Sequence, residues 1–189
     1  LPVKWKGKQV STAKPKLYAL LIGVSDYANT DLKLRYAAKD AEDLSRELEK
    51  QKGVFYDDVE VKLLLNGDAS EDAIEAELAR LRNKAKPEDN VIVFMAGHGV
   101  TNATQDFYFL PANVDMTADM MEATAIDGDV IRKGLSRIPG KVVLFMDACH
   151  AGNGIQGGVS RVDMTGVANG LSDGASVVMF ASSTGREVS

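Results

Sequence analysis

The chain has 189 residues, of which 45% are hydrophobic and 26% charged, and its formal net charge is −5. These values predict one soluble globular domain with a substantial core, and the acidic balance argues against nucleic acid as a partner. The only cysteine, Cys149, excludes an internal disulfide and a cysteine-rich metal site. No apolar run approaches the roughly 20 residues of a membrane span, so we expect no membrane-spanning segment.

The charge is unevenly distributed along the chain. Residues 1–16 contain five lysines and no acid, so the remaining residues together carry −10. This first stretch has no periodic apolar pattern, and we interpret it as a basic arm or linker ahead of a domain at 17–189. The chain begins with Leu1 rather than Met, so a targeting segment could precede it. We expect a bacterial protein and leave its compartment open between the cytoplasm and export.

Apolar runs of strand length alternate with stretches of helical periodicity. The predicted strands lie, in chain order, at 17–24, 59–65, 91–96, 107–110, 142–146 and 175–181. The predicted helices lie at 37–50, after an N-cap at Ser70, at 127–137 and at 164–171. Alternating strands and helices form βαβ crossovers, which predicts an α/β fold with a mostly parallel sheet and helices on both faces. No helix follows the last strand, so we expect the elements that close the sheet to lie beyond Ser189.

Two segments place a reactive side chain after a buried strand. V-I-V-F-M-A-G-H-G-V holds His98, one of two histidines, and K-V-V-L-F-M-D-A-C-H-A-G holds Cys149. Ligands bind outside the carboxyl ends of parallel strands, where we expect both residues to lie. A nearby imidazole raises the reactive thiolate fraction and can protonate a leaving amine. The pair therefore indicates a cysteine hydrolase.

Each residue alone has a plainer interpretation. A single cysteine after an apolar strand is most often a small buried hydrophobe, and a single histidine is most often only hydrogen-bonded. Both residues at strand ends, with glycines beside them, favour catalysis instead. The flanking glycines allow the backbone to approach a substrate closely, and the amides of Gly99 and Cys149 are candidate donors for an oxyanion hole. His150 is interpreted as structural, because neighbouring side chains in an extended segment point apart.

The G-H-G and D-A-C-H-A-G segments resemble the catalytic segments of the caspase-like cysteine peptidases, particularly the metacaspases and bacterial orthocaspases. The caspase histidine lies roughly 50 residues before the cysteine, and His98 lies 51 residues before Cys149. Y-A-L-L-I-G-V-S-D-Y and L-R-Y-A-A-K-D-A-E-D-L are similar to the family's first strand and the segment after it, so the likeness covers about residues 17 to 186. It implies a caspase-like three-layer α/β/α sandwich, with His98 as base, Cys149 as nucleophile and hydrolysis through a thioester.

The residue two before the cysteine departs from the caspase pattern. True caspases carry Q-A-C-R-G, whereas this chain has Asp147 in place of that glutamine, on the same side of the strand as Cys149. In metacaspases the matching aspartate and one in the D-A-x-x-L segment, Asp40 here, help to form an acidic S1 pocket. The resemblance therefore implies peptide or protein substrates with Arg or Lys at P1, held by charge-assisted contacts. The plainer alternatives are a helix cap for Asp40 and a backbone-bonded carboxylate for Asp147.

Self-processing is common in this family, so the chain's own C-terminal segment is a candidate substrate. With basic specificity, Arg161 is the natural cleavage site between Cys149 and the last strand, and Arg186 is a second candidate. The alternative for Arg161 is a solvated residue at the start of a helix.

Many metacaspases need calcium. Acidic residues occur after residue 114, but they lack the spacing of a recognisable ligand loop, and we expect no required metal or cofactor. These residues are Asp115, Asp119, Asp127 and Asp129.

Two other functions stay open. One is a caspase-like scaffold without turnover, against which the intact His98 and Cys149 pair argues. The other is a legumain-like peptidase with Asn specificity, which would share the G-H-G and D-x-C pattern. Asp26 and Tyr27, after the first strand, either line the cleft or are ordinary surface residues.

Overall fold

The structure, a computed structural model, describes residues 14–104, 106–117, 120–150 and 177–181, with only the main chain described at 149 and 150. The strands are β1 (Leu17–Gly23), β2 (Val59–Leu65), β3 (Asn90–Thr101), β4 (Phe107–Phe109), β5 (Ile126–Asp127), β6 (Lys141–His150) and β7 (Val177–Ala181). The helices are α1 (Ala37–Glu49), α2 (Glu71–Lys84), α3 (Met121–Thr124) and α4 (Gly128–Ser136), with 3-10 turns at Thr30–Leu32 and Asn66–Asp68.

Five strands form a parallel sheet in the order β2-β1-β3-β6-β7. β4 pairs antiparallel with residues 99–101 of β3, and β5 pairs with β4. Because β6 occupies one edge of β3 along residues 90–99, β1 and β4 must share the other edge. β1 accompanies that edge as far as Ala96, and β4 follows from Gly99. His98 lies between the two neighbours.

Helices cover both faces of the sheet, which confirms the predicted three-layer arrangement. On one face α1 packs Ala41 into a cluster with Ala19 and Leu21 of β1. On the other face α2 and α4 contribute Ile74, Leu78, Leu81, Ile131 and Leu135 to the larger core. Every residue of β1 is buried, and full burial of one large aliphatic side chain stabilises the fold by about 1.5–3 kcal/mol.

The connection from β1 to α1 is tight because Gly23 has no side chain. A Cβ there would lie 2.4 Å from the carbonyl oxygen of Ala37. The amide of Ala38 in the first turn of α1 donates to Ser25 Oγ at 2.9 Å. The start of α1 is therefore held at the carboxyl end of β1, the end of the sheet at which His98 lies.

The sequence predictions are wrong at two strand ends. The strands predicted at 91–96 and 142–146 continue to Thr101 and His150, so His98 and Cys149 lie inside strands rather than beyond them. Pairing of β3 with β6, and of β3 with β4, supplies backbone partners that sustain this extension. α3 and β5 were not predicted because they are too short to give a periodic signal. The helix predicted at 164–171 lies outside the described residues.

Within the described ranges, no helix has the length and apolar character needed to cross a lipid bilayer.

Candidate active site

The two candidate catalytic residues occupy matching positions on adjacent strands. His98 of β3 and Cys149 of β6 are register partners in the parallel ladder. Neighbouring strands lie about 4.8 Å apart, so the main chains at these two positions are as close as the sheet allows. The side chain of His98 is buried. The β3–β6 pairing thus joins two residues that are 51 positions apart in sequence.

The imidazole of His98 is oriented by a main-chain carbonyl. Its Nε2 lies 2.9 Å from the carbonyl oxygen of Leu32. A carbonyl oxygen can only accept a hydrogen bond, so Nε2 carries the proton and the basic lone pair is on Nδ1. Leu32 is buried at the end of a 3-10 turn whose start is capped by the side chain of Asn29. The carbonyl therefore sets the tautomer, as a carboxylate does in Ser-His-Asp triads.

Tyr27 contacts the same histidine from the loop after β1. The backbone amide of His98 donates to the Tyr27 hydroxyl at 2.9 Å. The two rings lie 5.3 Å apart between centroids, tilted by 47°. The surface alternative for Tyr27 is wrong, because its side chain is only 6% exposed. Asp26 is exposed and forms an ion pair with Lys33.

The glycines beside His98 allow close packing of aromatic rings. A Cβ on Gly97 would lie 2.9 Å from the ring of Phe109 and 3.0 Å from the Tyr27 hydroxyl oxygen. A Cβ on Gly99 would lie 2.6 Å from the ring of Phe107. The structure thus gives these glycines a packing role, and their close approach to a substrate stays a prediction.

The backbone amide of Gly99 faces the strand that holds Cys149. His98 directs its own amide to Tyr27 and its carbonyl to the amide of Leu110, both on the β1 and β4 edge. Backbone groups alternate between the edges of a strand, so Gly99 directs its amide to β6. Its role in an oxyanion hole stays a prediction.

The two candidate S1 carboxylates belong to one face of the sheet. Asp147 is half-buried and is the register partner of Ala96. α1 covers the face on which Ile92 and Phe94 lie, and strand alternation places positions 96 and 147 on that face. Asp40 is exposed in the first turn of α1. Two carboxylates of like charge do not pair with each other, so what Asp40 and Asp147 share is the side of the sheet on which they lie.

Comparison with known proteins decides the family. The sequence model of the caspase domain matches residues 16–189. The chain belongs to the caspase-domain family. It is also similar to a crystal structure of protein GSU0716 from Geobacter sulfurreducens, with a TM-score of 0.58 and 18% identity over 74% of this chain and 52% of that one.

The chain therefore spans about half the length of that relative, and at this identity the likeness shows the fold alone. No curated protein sequence matches the chain.

The helix-cap alternative for Asp40 is also wrong in this caspase-domain chain. Tyr36 occupies the N-cap position of α1 and makes no side-chain capping bond, and Asp40 lies within the first turn. An acidic residue there still interacts favourably with the helix dipole.

Most of the acids considered for calcium have other partners. The Asp115 carboxylate accepts the amide of Thr117, which lowers the pKa of Asp115. The hydrogen bonds from Arg132 and Lys133 lower the pKa of Asp129, while Asp127 caps α4 by accepting from the amide of Asp129. Among the described residues no group of three acids, histidines or cysteines could hold a metal ion.

Asp119, and the candidate cleavage residues Arg161 and Arg186, lie outside the described residues.

Proposed function

We propose that this caspase-domain chain is a cysteine endopeptidase of the metacaspase or orthocaspase type, which cleaves after Arg or Lys. One observation carries the proposal: His98 and Cys149 are register partners on adjacent strands, and the histidine is held with Nε2 protonated. In this proposal the catalytic domain is 17–189 and residues 1–16 form a basic arm.

In the proposed reaction Nδ1 of His98 transfers the proton, while Nε2 stays hydrogen-bonded to the Leu32 carbonyl. Nδ1 takes the proton from the Cys149 thiol, and the thiolate attacks the carbonyl carbon of the scissile bond. The amides of Gly99 and Cys149 stabilise the oxyanion of the tetrahedral intermediate. His98 then returns its proton to the leaving amine as the C–N bond breaks. Water hydrolyses the thioester, which releases the acid product and restores the thiol.

The preference for a basic P1 residue is supported by charge and position. Asp147 lies two positions before Cys149 and is half-buried, so an ion pair there is less screened than one on the surface. Asp40 lies in the first turn of α1, the helix that covers the same face. An acidic pocket attracts Arg or Lys and repels an Asp side chain.

A set of fluorogenic peptides with Arg, Lys, Asn or Asp at P1, with and without calcium, tests the function. We expect hydrolysis of the Arg and Lys peptides, and no hydrolysis by Cys149→Ala. Preference for Asn would support the legumain-like alternative, and preference for Asp would contradict the role of Asp147. Absence of all hydrolysis would favour the scaffold.

The variant Asp147→Asn tests the pocket. We expect kcat/KM for the Arg peptide to fall by about 30-fold or more, because loss of one partner of a buried charge pair costs about 2–5 kcal/mol. Asp72→Asn is the control for the loss of one negative charge, since Asp72 lies in the first turn of α2, outside the proposed S1 pocket. Equal losses in both variants would contradict the S1 assignment.

Self-processing is proposed at Arg161, with Arg186 as a second site. Mass spectrometry of the purified chain should find cleavage after one of these residues in the wild type and not in Cys149→Ala. Cleavage at the same rate in the variant would show that another protease is responsible.

A further inference from the structure

The amide of His98 lies at the point on one edge of β3 where pairing with β1 ends and pairing with β4 begins. On this edge the last backbone bond to the β1 side joins the amide of Val24 to the carbonyl of Ala96, at 2.9 Å. The first bond on the β4 side joins the amide of Leu110 to the carbonyl of His98, also at 2.9 Å. Between these two bonds the amide of His98 donates a hydrogen bond to the hydroxyl of Tyr27 instead of to a carbonyl of a neighbouring strand. The Tyr27 side chain thus fills the gap between two strands.

Tyr27 is itself fixed on several sides. The next residue, Ala28, donates its amide to the carbonyl of Ala112 at 2.7 Å. The absence of a side chain on Gly97 leaves room for the hydroxyl, and the phenol ring packs against the imidazole of His98. A side chain held in this way can fix the main chain that it binds.

The segment between β1 and α1 holds His98 at two separate points. Tyr27 binds its backbone amide, and Leu32 binds its Nε2. The contact with Tyr27 fixes the position of the His98 main chain, and the contact with Leu32 fixes the orientation of its imidazole ring. Loss of the first would let the imidazole shift although the second remained.

We propose that Tyr27 is a positioning residue for His98, which acts through the main-chain amide at the junction of β1, β3 and β4. The proposal rests on the proposed peptidase function, because the benefit of a fixed imidazole is a proton transfer with Cys149. Small errors in the placement of a catalytic group reduce the rate far more than they reduce substrate binding.

Tyr27→Phe removes the hydroxyl and keeps the ring. We expect kcat for the Arg peptide to fall by about tenfold to a hundredfold, with KM unchanged within about twofold. Tyr18→Phe is the matched control, because Tyr18 is 5% exposed in β1 and Tyr27 is 6% exposed. The control should keep kcat within about twofold. Equal kcat in the two variants would overturn the proposal, and so would a rise in KM alone.

Two further readouts separate this proposal from the proposed function. The imidazole signals of His98, one of only two histidines, report its tautomer and environment by NMR. The alkylation rate of Cys149 against pH reports its coupling to His98, and Cys149 is the only cysteine. We expect both to change in Tyr27→Phe and not in Tyr18→Phe, even if no peptide is cleaved. If neither changes, Tyr27 does not position His98, whatever the activity of the wild type.

If Tyr27→Phe does not fold, 3-fluorotyrosine at position 27 provides a milder change. It alters the hydroxyl as a hydrogen-bond partner and nearly preserves the shape of the side chain. We expect a shift of the His98 amide resonance together with a smaller fall in kcat, and the absence of both would overturn the proposal.

Discussion

The two outer strands of the parallel sheet, β2 and β7, are covered very differently. α1 packs against one face of β2, and on the other face Glu60 pairs with Arg80 and Lys84 of α2. In β7, by contrast, Val178 and Phe180 are 54% and 55% exposed. Both strands are short and largely apolar, so among the described residues the difference lies in the elements that pack against them. An apolar run predicts a strand, but neighbouring helices decide its burial.

This contrast bears on the candidate site. His98 lies in β3, which has β1 and β6 on its two sides and belongs to the well-covered half of the sheet. Cys149 lies in β6, between that half and the exposed β7. The described residues of the strand that holds the proposed base are thus more completely buried than those of β7, the strand after the one that holds the nucleophile. Four changes can break or sharpen this comparison.

The largest expected effect distinguishes the two histidines. His98→Gln should lower kcat/KM for the Arg peptide by about 10²- to 10⁴-fold, the usual contribution of general acid–base catalysis. His150→Gln, in the strand of Cys149, should keep the activity within about threefold. The reverse result would make His150 the base and move the whole site to β6.

Two truncations compare the covered and exposed halves directly. Leu20→Ala in β1 should lower the free energy of unfolding by about 3 kcal/mol, because Leu20 is fully buried. Phe180→Ala should cost about 1 kcal/mol, since Phe180 is half exposed and its ring stacks on that of Phe145. Urea unfolding measures both values. A cost for Phe180 as large as that for Leu20 would mean that β7 is covered in solution.

A third change loosens the β1–α1 connection. Gly23→Ala should lower the free energy of unfolding by about 2 kcal/mol, because its Cβ would meet backbone atoms of Ala37 and Ala38 that cannot rotate away. Gly67→Ala is the control, as a Cβ there meets nothing within 4 Å and its backbone is not left-handed. Urea unfolding should leave this control within about 0.5 kcal/mol of the wild type. Equal free energies of unfolding for Gly23→Ala and Gly67→Ala would show that the start of α1 can move away from a Cβ at position 23.

The sequence predicts the elements better than the contacts that complete the site. The bounds of β2 and the cap of α2 by Ser70 are confirmed, because both depend on short-range patterns. The contacts of His98 with Tyr27 and Leu32 span 71 and 66 positions and begin in a loop without periodicity. In the sequence the G-H-G segment looks like the end of a strand. In the structure β3 continues through this segment because β4 and β6 pair with it. The local sequence pattern therefore identifies His98 but does not predict its contacts with Tyr27 and Leu32.

The smallest effect concerns the ion pairs that cover β2. Lys84 lowers the pKa of Glu60 by a hydrogen bond, burial opposes this shift, and the charge of Arg80 adds to it. A folded-state pKa below the unfolded value means that the unfolded chain binds the proton more tightly. The stabilisation is then complete above the unfolded pKa, about 4.3, and is lost as pH falls through the lower folded value.

At pH 7 the free energy of unfolding of the wild type should therefore exceed that of Glu60→Gln by about 0.5 kcal/mol. The value is small because both partners are partly exposed and water screens the pair. Urea unfolding of both proteins from pH 7 to pH 3 should show this difference vanish on the acid side. About 1 M salt at pH 7 should reduce it as well. A difference that grew toward low pH would reverse the sign of the shift. The ion pairs would then not stabilise β2, and the contrast with β7 would depend on apolar packing alone.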